Sequence, residues 1–329
     1  MLASSRYWNG RFHNTARVRP GLEGPPLPLL GEWFFGDAER IPRRPLPLVS
    51  PLASWARPAE TGLRVTWLGH STVLLEMGGV RVLTDPVFGE RAAPLRFAGP
   101  RRFHAVPALL RELPPLDLVL LSHDHYDHLC RDTIEELARG PVPFVTSLGV
   151  GAHLERLGVG PERIHELEWW ETTTLAGGRL AVTATPAQHF SGRGLSDRNA
   201  TAWSSFCLEG GGRRVFFSGD TGLTEEFREI GARRGPFDLV MLEIGAYHPA
   251  WGKIHLGPEN ALTAFDWLGG GTLLPVHWST FSLALHAWDQ PADHLIELAG
   301  KSGQRVVTPR LGAVTELERV AGPDAWWRG

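Results

Sequence analysis

The chain has 329 residues, 43 % hydrophobic and 21 % charged, enough to bury a core without a disulfide or a partner. It holds no apolar run of 18 residues, and 33 Lys plus Arg against 36 Asp plus Glu leave a formal net charge of −3. That excludes a transmembrane helix, extended disorder and a global nucleic-acid footprint. Cys130 and Cys207 are the only cysteines, so there is no disulfide framework, and the N-terminus shows no apolar secretory stretch. The expected compartment is the cytoplasm.

Residues 1–60 are rich in Pro, Arg and Trp, with the run Gly24-Pro25-Pro26-Leu27-Pro28-Leu29-Leu30 ahead of Trp33-Phe34-Phe35. Proline at this density opposes helix and central strand, so an extended arm packed on the body is expected. The alternative is a surface meeting lipid, which makes peripheral membrane contact an expectation to test, or a second subunit of a homodimer. Residues 61–329 read as a single domain. Segments 63–68, 73–77 and 80–84 have strand length and alternate with glycine turns, Gly78-Gly79 suiting a two-residue hairpin. Strands at 117–121 and 144–146 follow, with a helix over 132–139 between them and Asp132 as its N-cap. A second series repeats the order: strands at 180–185, 204–208, 214–217, 239–244 and 273–276, helices at 223–233, 258–268 and 291–299. Pro258 and Pro291 open helices, and Leu262, Phe265 and Leu268 recur at helical spacing. The class is α/β, as two similar halves packed sheet to sheet.

The strand 117–121 runs into Ser122-His123-Asp124-His125-Tyr126-Asp127-His128, three histidines and two aspartates in six residues. Burying that cluster at a strand end without a cation is costly. In an extended segment His123 and His125 point the same way, and Asp127 and His128 follow a bend and can face a second ion. Four residues do not complete two sites. His189, Asp220 and His277 stand at comparable strand ends, Asp220 between Gly219 and Gly222, and bring the set to five His and two Asp, a ligand complement for two metals.

These residues, with Trp67-Leu68-Gly69-His70-Ser71-Thr72, Thr84-Asp85-Pro86, Gly99-Pro100-Arg101-Arg102-Phe103, Gly219-Asp220-Thr221-Gly222, Gly245-Ala246-Tyr247 and His277-Trp278-Ser279-Thr280-Phe281, resemble the metallo-β-lactamase superfamily, in the branch containing N-acylphosphatidylethanolamine-hydrolysing phospholipase D. The resemblance spans about residues 62–300. It implies an αββα four-layer sandwich with His123, His125 and His189 on one zinc, Asp127, His128 and His277 on a second, and Asp220 bridging. Manganese or iron also suits such oxygen donors. The sequence departs from the branch at Asp124, Cys130, His248 and Ser279, positions that border the pocket and bear on substrate more than on reaction.

Two such cations lower the pKa of a bridging water to near 7, so the expected nucleophile is hydroxide and the reaction is hydrolysis of a small or lipid-like phosphodiester to a phosphomonoester and an alcohol. No Gly-x-Ser-x-Gly elbow occurs. A lactonase or another carbonyl-bond hydrolase is the alternative, with a non-catalytic metal protein behind it. A nuclease role lacks a basic arm. Asp127, itself an expected metal ligand, His255 and Tyr247 are catalytic candidates, with His248 comparable to Tyr247. Asp85 and His70 are candidates for orienting ligands. Trp203, Trp251, Trp278, Phe190 and Phe281 are candidates for an apolar rim, and Arg101-Arg102 for an anionic headgroup.

Overall fold

The computed structural model describes residues 4–18, 29, 31–33, 36–95 and 97–329. The proline run over 24–28, Leu30, and Phe34-Phe35 of the aromatic triplet lie outside the described residues. The arm is not wholly extended. It contains a hairpin of β1 (Tyr7–Trp8) and β2 (Arg11–Phe12) and a short helix α1 (Leu52–Trp55). Pro51 stands at the N-cap of α1, where a missing N–H costs nothing. Leu46 joins the main core, and the Trp55 indole donates to Thr66 Oγ1 at 2.9 Å.

β3 (Leu63–Gly69), β4 (Thr72–Met77) and β5 (Val80–Thr84) form an antiparallel meander, with Gly78 and Gly79 at φ +55° and +75° making the turn. β6 (Leu118–Leu121), β7 (Phe144–Ser147) and β8 (Ile164–Leu167) extend the sheet in parallel. Helices α2 (Arg131–Leu137) and α3 (Gly151–Arg156) are the crossovers. The N-cap of α2 is Cys130, not Asp132, which lies in the first turn where a carboxylate meets the helix dipole.

The second sheet starts with β9 (Thr172–Leu175), β10 (Leu180–Thr185), β11 (Ser205–Gly210) and β12 (Arg213–Phe217), all antiparallel, then adds β13 (Leu239–Glu243) and β14 (Thr272–Val276) in parallel. The pairing order from β10 to β14 repeats that from β3 to β7, which is the duplication read from the strand series. Helices α4 (Glu226–Arg234), α5 (Gly257–Trp267) and α6 (Gln290–Ser302) cover its outer face. β15 (Val314–Glu316) returns to pair with β3.

Alternation along the strands sorts the layers. On β6, Leu118 and Leu120 enter the core between the sheets, and Val119 and Leu121 enter a second cluster with Ile134 of α2 and Leu154 of α3. The inter-sheet core takes Val65, Leu75 and Val82 from one side and Val182, Leu208 and Phe217 from the other. On α5, Leu262 and Phe265 are buried as their spacing predicts. The result is the helix–sheet–sheet–helix sandwich.

The strand reading missed β8, β9 and β15. β9 is a half-exposed Thr172-Thr173-Thr174-Leu175 edge, and β15 has three residues and exists only through its pairing with β3.

Candidate metal centre

All the chemistry gathers at one edge of the two sheets, at the carboxyl ends of β6, β10, β12 and β14. The end of β6 carries the first cluster, the loop after β10 carries His189, the end of β12 carries Asp220 and the end of β14 carries His277. His123 Nε2 lies 2.8 Å from His125 Nδ1, which is 3.3 Å from His189 Nε2. Asp220 Oδ2 stands 3.9 Å from His123 Nε2 and 3.7 Å from His189 Nε2. On the other side, His277 Nε2 is 3.1 Å from Asp220 Oδ2 and 3.3 Å from Asp127 Oδ2, and His128 Nε2 is 3.2 Å from Asp220 Oδ1 and 3.5 Å from Asp127 Oδ2. The structure thus brings all seven sequence-predicted ligands together as two groups sharing Asp220.

The hydrogen-bond network decides which way each ring faces. Asp85 accepts from the Ser122 main chain at 2.7 Å, the Ser122 hydroxyl at 2.6 Å and His128 Nδ1 at 2.6 Å. With its proton committed to Asp85, Ser122 Oγ accepts from His123 Nδ1 at 2.9 Å. His189 Nδ1 donates to the Ile254 carbonyl at 3.0 Å. The ring protons of His123, His128 and His189 therefore point away, and their Nε2 lone pairs converge. His125 Nδ1 lies 2.8 and 3.3 Å from the Nε2 atoms of His123 and His189, and three ring nitrogens so placed suit a shared cation. His128 Nε2, His277 Nε2 and Asp220 Oδ1 are buried with no hydrogen-bond partner. The donor set fits two divalent ions of the zinc class on this geometry.

The electrostatics divide the site into two halves. Burial pushes His123, His125 and His189 well toward the neutral form, the state in which imidazole ligates. Burial also opposes charge on Asp220 and Asp127, but the surrounding histidines hold both carboxylates well below the usual range. Burial works against charge on His128 and His277 too, but Asp220 and Asp127 outweigh it, raising His277 to about 10 and His128 well above 6.5, so this half of the site favours positive charge. These carboxylates face positive charge. Backbone strain concentrates here, with His277 at φ +65°, His70 at +52° and Asp85 at +32°. His70 Nε2 donates to Asp127 Oδ2 at 3.0 Å, and its carbonyl accepts from the His277 N–H at 3.1 Å. Burial, with His277 adding, lowers the His70 pKa to about 3. Gly219, at φ +54°, lets the end of β12 touch β6: a Cβ there would lie 2.5 Å from that of Ser122.

A cavity of about 290 Å³ opens on the centre. Phe190, Ala246, Trp251, Ile254 and Leu283 form its apolar wall, and His255 stands beside His277 and Asp220. Glu243, at the end of β13, accepts from His255 Nδ1 at 2.8 Å and from the Thr221 N–H at 2.7 Å. Sequence reading missed Glu243, although a carboxylate closing Leu239-Val240-Met241-Leu242 was a signal that a buried partner had to exist. Tyr247 does not line the cavity. Its ring stacks on His286 at 4.8 Å. His248 faces Glu32 at 3.4 Å. Of the rim candidates, Phe190 and Trp251 line the cavity, Trp203 packs with Phe12, Ala187 and Ala202, Trp278 stacks on Trp67 at 5.2 Å, and Phe281 packs on His70 and Arg102. Arg101 pairs with Glu90, and Arg102 is buried against the Val87 and Gly89 carbonyls, so neither meets the cavity.

A two-sheet sandwich with a shared-carboxylate histidine centre at its strand ends defines a metal-dependent hydrolase of the metallo-β-lactamase class. The family model described as Beta-lactamase superfamily domain matches residues 80–278, and the chain belongs to that superfamily. It is 38 % identical over 251 residues to N-acyl-phosphatidylethanolamine-hydrolyzing phospholipase D 1 of Caenorhabditis elegans, covering 73 % of this chain and 70 % of that one. An uncharacterised protein of Mycobacterium tuberculosis is 45 % identical over 291 residues, covering 87 % and 77 %. Among solved structures, an isothiocyanate hydrolase from Delia radicum gut bacteria superposes with a TM-score of 0.62 at 20 % identity, covering 77 % of this chain and 98 % of that one. Among the described residues, no helix is long and apolar enough to cross a membrane.

Proposed function

We propose that this protein is a dinuclear hydrolase of organic phosphodiesters, zinc-loaded, of the N-acylphosphatidylethanolamine phospholipase D type. The observation that carries the dinuclear part is the convergence of ring lone pairs on a shared Asp220. His123, His125, His189 and Asp220 would hold one ion, and Asp127, His128, His277 and Asp220 the other. Bound there, two divalent ions supply an activated water near neutral pH and draw charge from a phosphoryl oxygen.

The chain's own groups complete the site. His255 is held at Nδ1 by Glu243, which leaves Nε2 to meet a phosphoryl or leaving-group oxygen. Glu243 also ties the main chain after Asp220 to that ring, so the two move as a unit. Phe190, Trp251, Ile254 and Leu283 present hydrocarbon to the substrate, exclude water and suit an acyl chain. Similarity to two relatives named as N-acylphosphatidylethanolamine-hydrolysing phospholipases, from Caenorhabditis elegans and Saccharomyces cerevisiae, supports a phosphodiester as the bond cut.

The test is metal content together with hydrolysis of bis(p-nitrophenyl) phosphate, an N-acylphosphatidylethanolamine and a lactone, by wild type and Asp220→Ala. Two metals per chain and diester cleavage, lost by at least about 10³-fold in Asp220→Ala, is the expected result. Lactone turnover alone would move the protein to the carbonyl-bond hydrolases.

A further inference from the structure

His189 lies beyond the end of β10, where among the described residues no neighbouring strand pairs with its main chain. A residue 175 positions away does so instead. Asn14 Nδ2 donates to the His189 carbonyl at 2.8 Å, and Asn14 Oδ1 accepts from the His189 N–H at 3.0 Å. One side-chain amide thus takes the place of a strand partner and satisfies both backbone groups. The same Oδ1 accepts from the Trp203 indole at 3.1 Å, and that indole also donates to the Ala187 carbonyl at 2.9 Å, two residues before His189.

Asn14 is held in turn by the hairpin of β1 and β2. Phe12 is fully buried against Ala187, Ala202 and Trp203. Its N–H donates to the Asn199 carbonyl at 2.8 Å, and its own carbonyl accepts from Asn199 Nδ2 at 3.1 Å. Arg6 closes the far end, paired with Glu168 at 2.7 Å and lying 3.3 Å over the Trp169 ring. The supports of His123, His128 and Asp127 differ in origin: Ser122, Asp85 and His70 all lie at strand ends of the sheet that carries the first cluster.

We infer that Asn14 is a positioning residue of the metal centre, and that the N-terminal hairpin is a working part of it that sets the affinity of the three-histidine position. This rests on the dinuclear reading above. Ligand-orienting partners are worth about 10- to 100-fold in metal affinity, and here the effect falls on one of two positions, because Asn14 touches His189 and none of His128, Asp127 or His277.

The experiment titrates full-length wild type, Asn14→Ala and Arg6→Ala, loaded with Zn2+ and separately with Co2+, against a chelator of known affinity. Metals per chain, the visible Co2+ absorption and thermal unfolding are recorded together. Wild type is expected to hold two metals. Asn14→Ala should hold one as tightly as wild type and the other about 10- to 100-fold more weakly, with a changed Co2+ band for the weak one. Arg6→Ala loosens the hairpin without touching His189, and should show the same selective weakening to a smaller degree; it carries the test if Asn14→Ala does not fold. Wild-type affinity at both positions in the variants overturns the inference, as does equal weakening of both in step with a lower Tm. Fewer than two metals on wild type itself overturns the dinuclear reading, and this inference with it.

Discussion

Asp85 takes three hydrogen bonds at full burial and through them aims two candidate ligand histidines, one directly and one through Ser122. Asp85→Asn keeps the shape but removes an acceptor that His128 Nδ1 requires. Metal affinity is expected to fall about 10- to 100-fold, chiefly at the position holding His128, as measured by chelator competition. His104 supports a separate test. Burial, with Arg102 adding to it, lowers its pKa from 6.5 to about 3. Between those values the unfolded chain binds a proton that the folded chain does not, so stability falls as pH drops from 6.5 toward 3 and is unaffected by this group above 6.5. Up to about 1.4 kcal/mol per pH unit is at stake. Urea unfolding across that range should show a shallower acid limb in His104→Gln. At this scale the ligands were legible, because His and Asp crowd strand ends in the sequence. Glu243 and Asn14 were not, since each acts through contacts made across the fold.

The elements place the ligands by touching where their ends meet. β13 and β14 lie side by side, and the loop after β13 passes the His277 carbonyl so closely that a Cβ on Gly245 would sit 2.1 Å from that oxygen. Gly245→Ala must therefore displace the end of β14. A loss of about 1–3 kcal/mol is expected, together with loss of metal from the His277 position, read from Tm and metal content. Gly300, in α6, has nothing within 4 Å of where its Cβ would be. Gly300→Ala should stabilise by about 0.5–1 kcal/mol through helix propensity and leave metal content unchanged. Strand positions were legible from apolar runs of the right length. Apart from β14, the edges of the sheets were not: β8 and β9 mix polar residues into short segments, and only pairing makes them strands.

Across the whole molecule the centre joins the two sheets, with ligands from β6 on one side and from the ends of β10, β12 and β14 on the other. Ions bound at this centre would clamp the two sheets together, and ligand linkage at about 1,000 times the Kd is worth ~4 kcal/mol. Removing metal with a chelator should lower Tm by on the order of 10 °C, reversibly on adding Zn2+. The sequence by itself determined the α/β class, the order of the strand series and the seven candidate ligands, because apolar runs and the His and Asp at their ends are local patterns. Only the tertiary structure decided that Tyr247 turns away onto His286, that Glu243 steadies His255, and that a hairpin from the N-terminus supports His189. Those arrangements depend on side chains meeting backbone groups far along the chain, and no local pattern encodes which distant carbonyl or N–H a side chain will reach.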